Sequence, residues 1–161
     1  MPSLRRYRLR KDQLRQLLQQ AGERFGAEVI GALSGGVEVT ELESGLDIIS
    51  VGNRDLFFRA NGELVPTLSS VDAFKPPRVV VDMGAVPHVV NGADIMGPGI
   101  VSADLGIKEG DVVLIVDERH GKAIAIGVAL LPGAEMKAPK GKVVKNLHHV
   151  GDKIWRFLEK G

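Results

Sequence analysis

Few residues of this 161-residue chain stand at spacings that perform catalysis. His148 and His149 form its single adjacent histidine pair. Neighbours on a strand point to opposite faces, so the two do not readily share a metal, and no second ligand cluster supports one. Asp82, Asp94, Asp104, Asp111 and Asp117 are spread between apolar runs without a partner at fixed spacing. That is the pattern of turn and cap residues rather than of a general acid. Gly97-Pro-Gly-Ile-Val-Ser102 half resembles a dinucleotide loop, but Pro98 and the strand-like residues after it argue against one. No P-loop, His-Glu-x-x-His, Gly-x-Ser-x-Gly or EF-hand pattern is present. Without cysteine there is no disulfide, thiolate metal site or cysteine nucleophile.

The chemistry that remains is that of main-chain groups and cations. Asn91, Gly92, Gly97 and Gly99 allow positive φ and let another chain approach the backbone closely. A short helix before this turn and a loop after it would offer main-chain N–H groups to phosphates. Glycines also make barrel corners, and spacing alone leaves the two readings level. The tail adds charge: Lys137, Lys140, Lys142, Lys145, Lys153, Arg156 and Lys160 face only Asp152 and Glu159. Residues 1–24 hold seven basic groups against two acids, and residues 25–75 hold three against eight. A bipolar surface and incidental clustering on a solvated face both fit this distribution, which a formal net charge of +1 conceals.

The elements that position these groups are short. Arg6 to Arg10 reads as a strand, and Leu14, Leu17, Leu18 and Ala21 as one face of a helix capped by Asp12 and stopped at Gly26. Strands follow at Val37–Leu42 and Leu46–Val51, and a hairpin turns at Asn61-Gly62. Ser69 to Phe74 gives one or two helical turns. Lys75-Pro76-Pro77 bars helix continuation and marks a boundary between residues 1–75 and 76–161. Beyond it, strands are expected at Arg78–Asp82, Asp111–Asp117, Lys122–Leu131 and Asp152–Leu158. A short helix over Met83–Asn91 is interrupted near Pro87, and Pro132–Lys137 forms a helical turn. The class is α+β: a small α/β N-terminal domain, then a closed or partly closed barrel of short strands with two small helices. The longest apolar run, nine residues from Ala123 to Leu131, falls short of the roughly 20 that span a bilayer. The N-terminus is basic with no apolar stretch after it, so a soluble cytoplasmic protein is expected.

Val81-Asp-Met-Gly-Ala-Val-Pro-His-Val-Val-Asn-Gly-Ala-Asp-Ile-Met-Gly-Pro-Gly-Ile100 resembles the opening of a PUA domain, the RNA-binding module named after pseudouridine synthases and archaeosine transglycosylases. Gly106-Ile-Lys-Glu-Gly-Asp111, Ala125-Ile-Gly-Val-Ala129, Lys140-Gly141 and Asp152-Lys-Ile-Trp155 continue that pattern in order. Leu56-Phe-Phe58, Pro66-Thr-Leu68 and Lys145-Asn-Leu-His148 resemble the family of the T-cell-malignancy-amplified translation protein and the matching part of ligatin.

The resemblance implies a pseudo-barrel that grips structured RNA, often a tRNA acceptor stem and its 3′ end. It implies RNA contact at Gly84, Ala85, Asn91, Gly92, Ala93, Asp94, Met96, Gly97 and Gly99, with Lys140, Lys142, Lys145 and His148 beside them. The implied role is non-catalytic, on tRNA or small-subunit ribosomal RNA in initiation or recycling, without cofactor, metal or membrane. The implied partners are the small ribosomal subunit and a translation-factor protein, in eukaryotes the density-regulated protein. An accessory subunit that presents tRNA to a modifying enzyme fits the same residues. A modifying enzyme itself fits poorly, because about 75 residues without an acid/base constellation stand where such enzymes carry a catalytic domain. With seven aromatics, the chain also lacks the stacking platforms of an open RNA-binding sheet.

Overall fold

The computed structural model describes residues 4–160 and divides the chain into two compact units, Met1–Phe74 and Lys75–Gly161. In the first unit, strand β1 (Arg5–Arg8) leads into helix α1 (Lys11–Phe25), whose Leu17 and Ala21 are buried and whose Leu14 and Leu18 pack beside them. The helix starts earlier than an Asp12 cap would place it. Arg10 is the N-cap residue, its N–H donates to the Gln13 side chain at 3.1 Å, and Asp12 lies in the first turn. Gly26 ends α1 with φ +90, a conformation that costs glycine little.

Helix α2 (Glu28–Ala32) follows, then strands β2 (Val37–Glu43), β3 (Leu46–Val51), β4 (Arg54–Ala60) and β5 (Glu63–Pro66) in an antiparallel sheet ordered β1-β2-β3-β4-β5. Asn61 and Gly62 both take positive φ, the geometry of a tight hairpin turn that matches strand twist. A 3₁₀ turn (Leu68–Ser70) and helix α3 (Val71–Phe74) close the unit. Phe57 stacks on Phe25 at 5.5 Å and on Phe74 at 4.8 Å between ring centres, so the last turn of the unit is pinned to its core.

The basic and acidic stretches of this unit meet on adjacent strands. Arg5 pairs with Glu41 at 2.8 Å and Arg6 with Glu38 at 3.8 Å across β1 and β2. The opposed charges of residues 1–24 and 25–75 thus partly neutralise each other within one sheet.

The second unit contains β6 (Arg78–Val81), helix α4 (Val86–Val89), β7 (Ile95–Met96), a 3₁₀ turn (Gly97–Gly99), β8 (Ile100–Ala103), β9 (Val112–Asp117), β10 (Ala123–Ala129), a second 3₁₀ turn (Gly133–Glu135), β11 (Lys142–His149) and helix α5 (Lys153–Lys160). Its sheet runs β7-β11-β10-β9-β6-β8. All pairs are antiparallel except β6 with β9. The end strands β7 and β8 are joined directly by the Gly97–Gly99 turn, so the sheet curls into a nearly closed barrel around Val79, Val81, Ile95, Val113, Ile115, Ala125, Val143 and Val144.

Two expectations for this half are corrected. The segment Asp152–Leu158 is not a strand but the start of α5. Asp152 accepts the Trp155 N–H at 2.7 Å as an N-cap does, and Ile154, Phe157 and Leu158 recur at helical spacing. The terminal strand is instead β11, whose apolar Val143-Val144 lie among lysines. The helix expected over Met83–Asn91 is the single turn α4, and Pro87 sits in its first turn rather than interrupting it. Among the described residues, no helix is long and apolar enough to cross a membrane.

Candidate nucleic-acid interface

Asp82 builds the first wall of the candidate site. Its carboxylate accepts the Ala85 N–H at 2.8 Å, and its own N–H donates to Gly99 O at 2.9 Å. This locks the Asp82–Ala85 turn against the Gly97–Gly99 turn. Gly92, with φ +97, then sends the chain back from α4 toward β7; a Cβ there would meet His149 Nε2 at 3.4 Å.

Asn146 and Asp94 fix the other side. Asn146 Nδ2 donates to Val89 O and Ala93 O, both at 3.0 Å, while the Asn146 N–H donates to Asp94 Oδ1 at 2.9 Å. Asp94 Oδ2 pairs with Lys142 Nζ at 3.1 Å. The Asn146 N–H above all, then Lys142 and the charge of Lys145, outweigh burial and hold the Asp94 carboxyl below its ordinary pKa.

Between these walls lies an open groove of about 790 Å³. Buried Val89 and Ile95 form its floor, Met96 stands 45% exposed at its rim, and Lys142 is at its mouth. Of the residues singled out in the sequence, Gly84, Ala85, Gly92, Ala93, Asp94, Met96, Gly99 and Lys142 line it together. Asn91 is exposed beside it, and Lys140 and Lys145 are exposed before and on β11. Asp82, His88 and Pro98 also line it, though the sequence reading gave them no binding role. Asp82 carried one signal, a side-chain oxygen three residues before an N–H it could cap; His88 carried none.

Two residues move from the surface to the interior. Gly97 is buried, and a Cβ there would collide with Ala138 O. Its need for glycine is a packing need. His148 is fully buried, with Nδ1 2.9 Å from an Asp152 oxygen, so it is not a surface contact. Burial pushes the Asp152 carboxyl up, but the His148 hydrogen bond and charge, with the N–H groups of Trp155 and His149, overcome this and hold it below the usual range.

The main chain of the turn is also less available than its glycines imply. The N–H groups of Ala85, Asn91, Gly92, Ala93 and Gly97 all donate within the protein, to Asp82, His88, Val89, His88 and Gly141 oxygens respectively. They are not free to bind phosphate. The five aspartates are engaged in the same way: besides Asp82 and Asp94, Asp104 accepts the Arg78 N–H, Asp111 the Lys108 N–H and Asp117 the His120 N–H. What the groove presents is shape, an apolar floor and one lysine, Lys142, beside the carboxylates of Asp82 and Asp94.

A family model described as PUA domain matches residues 77–151. Translation machinery-associated protein 20 of Saccharomyces cerevisiae is 38% identical over 130 residues, which cover 75% of this chain and 72% of the yeast protein. An uncharacterized protein of Methanocaldococcus jannaschii is 43% identical over 157 residues, 95% of this chain and 96% of its own. The crystal structure of a hypothetical protein from Pyrococcus horikoshii superposes with a TM-score of 0.80 at 39% identity, covering 96% of this chain and 99% of that one.

The barrel with its groove is therefore a PUA domain, an RNA-binding module. The chain belongs to the family of translation machinery-associated protein 20 and the malignant T-cell-amplified sequence proteins. An RNA-binding role related to translation goes with that membership.

Proposed function

We propose that this is a non-catalytic RNA-binding protein of the translation machinery, acting in the cytoplasm on tRNA or small-subunit ribosomal RNA. The groove between α4 and β7 receives an unpaired RNA segment, with base and sugar against the apolar floor and the phosphates along Lys142, Lys145 and Lys140. The observation that carries this reading is the groove itself: about 790 Å³, floored by Val89 and Ile95, with lysine at its mouth. That volume falls within the ~300–1,000 Å³ of small-ligand sites. The grooves of an RNA duplex give side chains little to read, so discrimination falls on ends and loops. Residues 1–75 form a separate domain that docks on a ribosomal or protein partner, and residues 76–161 carry the RNA.

Salt titration of binding to labelled tRNA tests the reading. Each phosphate contact to single-stranded RNA contributes a log–log slope of roughly −0.7. Replacing Lys140, Lys142 and Lys145 together with glutamine flattens the slope and weakens binding. An unchanged slope would place the phosphate contacts elsewhere.

A further inference from the structure

The mouth of the groove holds a feature that an RNA site does not need for affinity. Asp94 Oδ2 lies 3.1 Å from Lys142 Nζ, and Asp82 is a second carboxylate on the lining. Lys142 is the one Lys or Arg there, so two carboxylates outnumber one ammonium on a surface proposed to receive a polyanion. Asp94 is well held, because Asn146 N–H binds its other oxygen at 2.9 Å. Lys142 is held loosely. Its side chain is 62% exposed against 26% for Asp94, and exposed ion pairs contribute little stability. The ammonium can therefore leave while the carboxylate stays.

We propose that Asp94 is a specificity-determining residue of the groove: it competes with phosphate for Lys142, so that an RNA gains this cation only when its unpaired segment also fills the groove. The inference rests on the RNA-binding reading of that groove. A bare phosphate, or a duplex end that cannot enter, must displace Asp94 without compensation from the apolar floor. An unpaired segment seated against the accessible apolar lining, exposed Met96 and Pro98 and half-buried Ala85, supplies that compensation as its phosphate reaches Lys142. The N–H groups of Ala85, Asn91, Gly92, Ala93 and Gly97 are already consumed inside the protein, so these main-chain donors do not bypass the competition.

Asp94→Asn in the full chain tests it, because asparagine keeps an oxygen for the Asn146 N–H while losing the charge. The probes are tRNA with its unpaired 3′ nucleotides and the same tRNA trimmed of them. The variant tightens binding of the trimmed tRNA by about two- to fivefold, the scale of one exposed ion pair, and that of intact tRNA less, so discrimination narrows. The gain disappears in a Lys142→Gln background, which a general loss of negative charge would not produce. Glu109→Gln, on an exposed loop outside the groove lining, gives no gain. Wild-type binding with no gain from Asp94→Asn, or a gain that survives Lys142→Gln, overturns the competition while leaving RNA binding intact. A folded wild-type protein that binds neither tRNA overturns the RNA reading and this inference with it. Circular dichroism on each variant separates loss of fold from either outcome.

Discussion

Asn146 on β11 donates its backbone N–H to the carboxylate of Asp94, 52 residues earlier in the chain, at 2.9 Å. Its side chain meanwhile holds Val89 O and Ala93 O, so one residue sets both the height of the α4–β7 loop and the width of the groove beside it. Leu147 has no partner in the β10–β11 register, which passes from Gly127↔Asn146 to Ile126↔His148. Asn146 and His148 are thus both placed by a bulge, the first toward the loop and the second toward the interior.

Asn146→Ala removes the side-chain donor from Ala93 O and one of two donors from Val89 O, which keeps the Gly92 N–H. Each of these partly exposed hydrogen bonds contributes about 0.5–1.5 kcal/mol. Chemical denaturation of the full chain should show a loss of that size for the second unit. Hydrogen exchange should rise at Ala93 and Gly92, whose N–H groups belong to the same loop. A stability unchanged within error would mean the loop is held by its own turns.

Acid should destabilise this protein through Asp152. Its carboxyl is held below the ordinary value, so the unfolded chain binds the proton more tightly than the folded one. The stabilisation is complete above the unfolded value near 3.9 and is lost as pH falls through the lower folded value. Asp94 acts in the same direction. Unfolding free energy followed from pH 7 to pH 2 should therefore drop steeply at the acid end, and Asp152→Asn should flatten that drop while lowering stability at pH 7. An equally steep drop in the variant would assign acid sensitivity to other groups.

Glycine substitutions should separate packing from binding. At Gly97 a Cβ would collide with Ala138 O, so Gly97→Ala should cost about 1–3 kcal/mol through forced overpacking. Gly84 is exposed, and its Cβ would meet only Asp82 Oδ1 at an ordinary 3.4 Å. Gly84→Ala should leave the melting temperature nearly unchanged. Similar losses at the two positions would show that the Asp82–Ala85 turn, not the collision, sets the cost. Gly92, at φ +97, is a poor probe of binding because any side chain there strains the backbone.

Much of this arrangement is legible in the sequence, and the gaps have physical causes. The Asn61-Gly62 hairpin, the α1 face at Leu14, Leu17, Leu18 and Ala21, and the stop at Gly26 follow from local rules, because each depends on neighbours within a few residues. The segment after Asp152 misleads because Ile154, Trp155 and Phe157 also suit a strand; what decides is the Asp152 cap, itself paired with His148. The glycine-rich turn is found at its true place, but the N–H groups of Asn91, Gly92, Ala93 and Gly97 are spent inside the protein. Whether an amide is spent depends on partners such as Gly141 O, far along the chain. No spacing rule reveals that Asp94 meets Asn146 and Lys142, since that contact exists only once β7 lies beside β11.

The most direct measurement compares the affinity of the full chain for intact tRNA and for the same tRNA lacking its unpaired 3′ nucleotides. Anisotropy titrations at one fixed salt concentration would supply both constants. Base and sugar contacts on the apolar lining of the groove require the unpaired end, so trimming should weaken binding about tenfold, the ~1.4 kcal/mol that burying roughly 55 Å² of apolar surface supplies at about 25 cal/mol per Å². Gly84→Val, which fills the groove from an open position, should bind both RNAs with the weaker affinity. Equal affinity of the folded wild-type protein for intact and trimmed tRNA would contradict the account and leave a duplex- or ribosome-directed surface as the site.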